Sequence, residues 1–178
     1  MFDCDMSIKG KHARYWKELS DTPGNARDAG SNFKIFSNYI YVYMVAPIIG
    51  LQFGRKSEYD PQDDSKDTAG MLAEIMVKNQ AKLKYIYRLI ILCDDSEGLT
   101  DDEKIDLAFR NNDAESVKKG MALYNAYFLG GLEVLHEVFV DDCIDDDDFI
   151  MKMHEFVTEF DEKEHMEDIE LAIADLLI

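Results

Sequence analysis

The stretch NFKIFSNYIYVYMVAPIIGLQF, residues 32–53, constrains the fold of this chain more than any other. Read as a helix, it places Phe33, Phe36, Ile40, Met44 and Leu51 on one side and Ile35, Tyr39, Val42, Val45 and Ile49 on another. A helix apolar nearly all round belongs in the middle of a bundle. Its β-branched and aromatic residues are also compatible with a buried strand, but the apolar face continues over about five turns, longer than strands usually run. Lys34, Asn38, Pro47 and Gln52 interrupt it, and its strictly apolar part is shorter than the roughly 20 residues a bilayer demands, so it is not read as a membrane span. Ser31 or Asn32 is expected to cap this helix, Pro47 to kink it, and Gly54 to take a left-handed position at its end, where Arg55 and Lys56 complement the dipole.

A helix buried on all sides needs neighbours with one apolar face each, and the rest of the chain supplies them. A second helix is expected from about Ala69 to Cys93, with Met76, Leu83, Ile86, Ile90 and Cys93 in helical steps and Glu74 four residues before Lys78. Thr100 and Glu103 have the spacing of a capping box and open a third helix through Ile105, Leu107 and Phe109. Asn112 and Glu115 repeat that spacing ahead of a fourth helix reaching about Val140, with Val117, Met121, Tyr124, Phe128, Leu132, Leu135 and Phe139 as its buried stripe. Gly130 and Gly131 inside it cost about 1 kcal/mol each against Ala, which points to close helix approach or a bend. Phe149, Ile150, Met153, Phe156, Val157 and Phe160 mark a fifth helix, and IELAIADLLI at residues 169–178 is a sixth apolar segment. No alternating run or Asn-Gly hairpin signal marks a strand. The expected architecture is all-α: an irregular bundle of about five to six helices over residues 32–178, preceded by a mostly irregular N-terminal arm over residues 1–31. Within that arm only His12 to Leu19 is amphipathic, and SDTPGNARDAGS reads as an irregular connection.

At 178 residues and 47% apolar content the chain can enclose one core without staples. Cys4, Cys93 and Cys143 are odd in number and far apart, which fits neither a disulfide framework nor a cysteine zinc site and suits a reducing compartment. Asp3 and Asp5 stand where a secretion signal would carry basic and apolar residues, so a cytoplasmic location is expected. The formal charge is −18 and uneven. Residues 1–56 hold 8 Lys/Arg against 5 Asp/Glu, and the remainder 11 against 32. Such a field repels phosphate backbones and anionic lipid, so the acidic body is not expected to bind nucleic acid or membrane.

Spacings that carry chemistry are few. Glu-x-x-His occurs as Glu133/His136 and Glu162/His165, a step that puts carboxylate and imidazole on one helix face as in carboxylate-bridged metal bundles. These four residues are the candidate metal ligands, although such sites need two further inward glutamates. HEFVT lacks the second histidine of a zinc protease helix, and neither the run around Asp141–Asp148 nor DDSEGLTDDEK has the glycine and glutamate positions of an EF-hand. GLQFGRKS lacks the Walker spacing, and no nucleophile elbow occurs. No cofactor is expected.

The remaining signals concern partners. Lys11, Arg14, Trp16 and Lys17 interleave cations with the one tryptophan of the chain. Two uses suit them: Trp16 packs the arm onto the bundle while the cations stay hydrated, or the group faces a partner. Arg55, Lys56 and the acidic Asp141, Asp142, Asp145 and Asp146 complete the candidate partner-binding set. The expected function is that of a non-enzymatic interaction or regulatory subunit docking on a larger protein with a basic surface, such as a nucleic-acid-processing or bacterial defence complex. A nucleic-acid mimic that presents paired aspartates as phosphates is one alternative, and a carboxylate/histidine metal enzyme another.

Overall fold

The apolar stretch does become a central helix, but it starts later than its hydrophobicity suggests. The computed structural model describes residues 1–21, 34–59, 66–96, 98–110, 113–141, 143 and 147–161. In chain order its elements are β1 (Met6–Lys9), α1 (Lys11–Leu19), α2 (Tyr39–Gln52), β2 (Thr68–Met71), α3 (Ala73–Lys78), α4 (Gln80–Cys93), α5 (Asp101–Phe109) and α6 (Ala114–His136). A π-helical turn over Glu137–Asp141 extends α6, and a further helix, α7, covers 147–161. The described residues are thus mostly helical, with one small two-stranded sheet.

Helix α2 begins at Tyr39 because the residues before it bond elsewhere. Phe36 donates to Leu19 O at 3.1 Å and accepts from Asp21 N at 2.8 Å, tying this segment to the end of α1. The expected caps Ser31 and Asn32 lie outside the described residues. At the other end the expectation for Gly54 is met: φ is +60°, Gly54 N bonds Leu51 O at 2.9 Å and Arg55 N bonds Gly50 O at 2.8 Å. That pair of reversed bonds is a Schellman ending.

Helices α2 and α6 form the main packing pair of the molecule. Their backbones meet where side chains vanish: a Cβ on Gly50 would overlap the Tyr127 carbonyl, one on Gly130 the Arg55 carbonyl, and one on Gly131 the Ala46 carbonyl. Of the two readings of Gly130 and Gly131, close approach is the one realised.

The single helix expected over residues 69–93 is instead a strand and two helices. Thr68–Met71 pairs antiparallel with β1, in the register Met6↔Met71 to Lys9↔Thr68. Gly70 suits this, since a Cβ there would strike the Met6 carbonyl. Met6-Ser7-Ile8-Lys9 does alternate apolar and polar residues, but four residues are the shortest run in which alternation can be read. The helix is broken again at Asn79, whose side-chain amide bonds Ile75 O at 2.9 Å. The capping box of Thr100 and Glu103 forms as expected. For α6 the cap is Asp113, accepting from Ser116 N at 2.8 Å; Asn112 lies outside the described residues.

The N-terminal residues share the bundle's core. Trp16 is 0% exposed, and its ring meets Phe128 edge-on at 5.1 Å. Tyr43 packs on Phe128 at 4.9 Å and on Tyr124 at 5.3 Å. Buried phenols need partners, and these have them: Tyr124 donates to Tyr43 O at 2.7 Å and Tyr87 to Leu107 O at 3.2 Å. Burial pushes the Tyr43 and Tyr124 hydroxyls well above the ordinary phenol range. Helix α7 joins through Phe156, stacked on Phe53 at 5.5 Å. The apolar segment 169–178 lies outside the described residues. No helix among the described residues is long and apolar enough to cross a membrane.

Candidate functional site

The Schellman ending of α2 swings Arg55 back across α6, and there the chain gathers its buried charge. Glu133 lies on the apolar stripe of α6 and is 9% exposed. Its Oε1 is 2.9 Å from Lys11 Nζ and 2.9 Å from His12 Nε2, and accepts from Ser57 Oγ at 2.8 Å. Its Oε2 accepts from Arg55 Nε at 3.2 Å. Burial alone would raise this carboxyl, but the bonds from Lys11, Ser57 and His12 outweigh it and hold the pKa at about 2. Arg55 also grips Glu137, one turn beyond Glu133, with two bonds of 2.6 and 2.7 Å.

A serine, a histidine and a glutamate in contact invite comparison with a catalytic triad, but the connectivity differs. Ser57 donates to Glu133 directly, and that carboxylate faces the same imidazole nitrogen, Nε2, that a serine nucleophile would need. A carboxylate held near pKa 2 is also a poor base at neutral pH. The cluster fastens α1 and the chain after α2 to α6.

The candidate metal ligands Glu133 and His136 sit one turn apart but are turned to different partners. His136 Nε2 is 2.6 Å from Glu18 Oε2 and its Nδ1 is 3.1 Å from Asp141 Oδ2, while its ring stacks on Tyr15 at 3.8 Å. Glu162 and His165 lie outside the described residues. Among the described residues no group of three His, Cys, Asp or Glu is placed to hold a metal ion.

The candidate partner-binding residues divide. Trp16 is wholly inside the core, so its ring offers nothing to a partner in this conformation; the packing use of this residue is the one the structure displays. Lys11 and Arg55 converge on Glu133, Lys17 pairs with Asp67 at 2.7 Å, and Arg14 lies over the Tyr15 ring with its Nε 4.0 Å from Glu18. Lys56 is at another corner, 2.5 Å from Ser96 Oγ and 3.4 Å from Asp94 Oδ1. Asp94, 1% exposed, also accepts from Tyr127 and Ser96, which hold it below the usual carboxylate range against the effect of burial. Asp141 faces His136; Asp142, Asp145 and Asp146 lie outside the described residues. Lys11, Arg14, Lys17, Arg55 and Lys56 are therefore each placed near a carboxylate of the same chain.

What sequence reading missed is an apolar face turned outward. On α4, Tyr85, Arg88 and Leu92 follow at steps of three and four, and on the neighbouring α5 Ile105 and Phe109 are four apart. Tyr85 is 69% and Phe109 56% exposed. Arg88 joins the helices, its guanidinium 4.8 Å from the Phe109 ring centre and its Nε donating to Ala108 O at 3.3 Å. The sequence carries the third helix through Ile105, Leu107 and Phe109 without saying which of them face the core; the packing of α5 puts Leu107 and Ala108 there.

Two cavities flank Tyr59. One of about 560 Å³ runs beside β1, and one of about 600 Å³ lies between residues 56–59 and the flank of α6. Asn125 and Leu129 line both. No protein-family model, curated protein or solved structure matches the chain.

Proposed function

We propose that this chain is a non-enzymatic, cytoplasmic interaction subunit that docks on a larger protein with a basic surface. The observation that carries the reading is the exposed face of Tyr85, Leu92, Ile105 and Phe109 across α4 and α5. Large apolar side chains grouped on adjacent helices mark contact surfaces, and aromatic residues with an arginine among them supply the anchors of interfaces. The charge of −18 adds long-range attraction to a basic partner. The buried ion cluster supports the same reading, because it consumes the His, Ser and Glu side chains from which an active site would be built.

The test is affinity capture from the native cell by the whole chain and by Tyr85→Glu and Phe109→Glu variants, read by mass spectrometry. Both substitutions replace exposed side chains, so circular dichroism and the melting temperature should stay close to wild type while one or more captured proteins disappear. An unchanged set of captured proteins, or small-molecule turnover by the isolated chain, would sink the proposal.

A further inference from the structure

A two-stranded sheet leaves a free edge on each strand, and that of β1 runs along a cavity. In an antiparallel ladder the residues that exchange backbone bonds alternate. Gly10 N donates to Asp67 O at 3.0 Å, continuing the register, so Met6, Ile8 and Gly10 turn their backbone groups toward β2. Ser7 and Lys9 turn theirs away, and among the described residues their outward amides and carbonyls meet no backbone partner. The cavity of about 560 Å³ is lined by every residue from Cys4 to Lys9, as expected of a space along an edge; one over a single face would meet alternate residues. Its other walls carry Phe2, Tyr43, Met76, Met121 and Phe128. Asn125 lies among them, its Oδ1 accepting from the Tyr43 hydroxyl at 3.3 Å.

We infer that the β1 edge takes up an extended segment of a partner protein as a third strand. Main-chain bonds to Ser7 and Lys9 fix its register, and alternate side chains enter the aromatic and methionine-lined cavity; strand addition divides affinity and specificity in this way. Methionine walls adapt to side chains of differing shape. Charge selects the occupant. Two copies of a chain of −18 repel each other, so the partner segment is basic, with large apolar residues at alternate positions. The inference rests on the reading that this chain works by binding protein, and it adds a surface distinct from the α4–α5 face.

The experiment measures fluorescence anisotropy of a labelled short peptide that alternates valine or phenylalanine with lysine, titrated with the whole protein. Comparison probes are the same peptide N-methylated along one edge and a peptide of the chain's own residues 169–178. Ser7→Pro removes an outward N–H without touching the ladder, a change that edge strands accept, so its melting temperature should match wild type. The basic peptide is expected to bind wild type, and binding to fall about tenfold or more with Ser7→Pro and with the N-methylated peptide. The N-methylated probe keeps the test valid should Ser7→Pro disturb the fold. Absence of binding, binding undiminished by both Ser7→Pro and N-methylation of the peptide, or tighter binding of the 169–178 peptide would overturn the inference. A wild-type dimer in sedimentation that Ser7→Pro dissociates would assign the edge to a second copy instead. If the peptide fails while Tyr85→Glu still releases a captured protein, only the edge falls and the interaction reading stands.

Discussion

Glu133 occupies a position where a lone carboxylate would be strongly unfavourable, inside the apolar stripe of the longest helix. It is tolerated because Lys11, His12, Arg55 and Ser57 converge on it. Replacing it by glutamine removes the carboxylate that the buried His12 imidazole and the Lys11 ammonium face, while Arg55 keeps its bonds to Glu137. Unfolding in urea at pH 7 should then show a loss of about 2 kcal/mol, below the value for fully buried pairs because Lys11 and Arg55 regain water. The sign of the pH dependence follows from the depressed pKa. The carboxyl binds its proton more readily unfolded, near pH 4.5, than folded, near 2. Its contribution is therefore complete above about pH 4.5 and fades as pH falls toward 2, so the gap between wild type and Glu133→Gln should close across that window. Trp16→Ala tests the other residue on which the sequence left two uses open. A wholly buried indole predicts a loss of about 3–5 kcal/mol in the same assay, whereas a partner-facing tryptophan would leave stability untouched.

At the level of elements, the glycines of the α2–α6 contact decide how closely the two central helices approach. In an isolated helix Gly131→Ala would gain about 1 kcal/mol. Here the added methyl meets the Ala46 carbonyl, a backbone atom that cannot rotate aside, so overpacking costs more than propensity returns. The net expectation is a destabilisation of about 1–2 kcal/mol, seen as a lowered melting temperature; an unchanged or raised value would refute the contact. Several element boundaries were legible beforehand, for reasons local to a few residues. The Thr100 and Glu103 box and the Gly54 ending depend on spacings of one turn, and both form as read. The ribbon of β1 and β2 was not legible, because its paired residues, from Met6↔Met71 to Lys9↔Thr68, are far apart in the chain and each strand is only four residues long.

For the molecule as a whole, the uneven charge acquires a physical meaning from its pairing. Lys11, Arg55, Lys17 and Lys56 each face a carboxylate of this chain, so these four cations do not form an uncompensated basic patch. The outward field is that of the acidic body. Association with a basic partner should therefore slow as salt rises from low to physiological and higher concentration, while the dissociation rate, set by the apolar contacts of Tyr85 and Phe109, changes little. Stopped-flow or surface-binding kinetics over that range would check it, and an association rate indifferent to salt would remove electrostatic steering from the proposal.

The sequence by itself determined the helical class, the burial of the 39–52 segment and the capping of α5, because each depends on periodicities and spacings that one or two turns of chain express. It also presented Glu133, His136, Arg55 and Lys11 as residues of interest. Only the tertiary structure decided what they do: His12 and Glu133 are 121 residues apart, and no spacing rule connects positions joined by the packing of α1 against α6. The same holds for the outward face of α4 and α5 and for the open edge of β1. Which side of a short helix meets the core, and which edge of a ribbon is left unpaired, are settled by the neighbours that long-range packing brings.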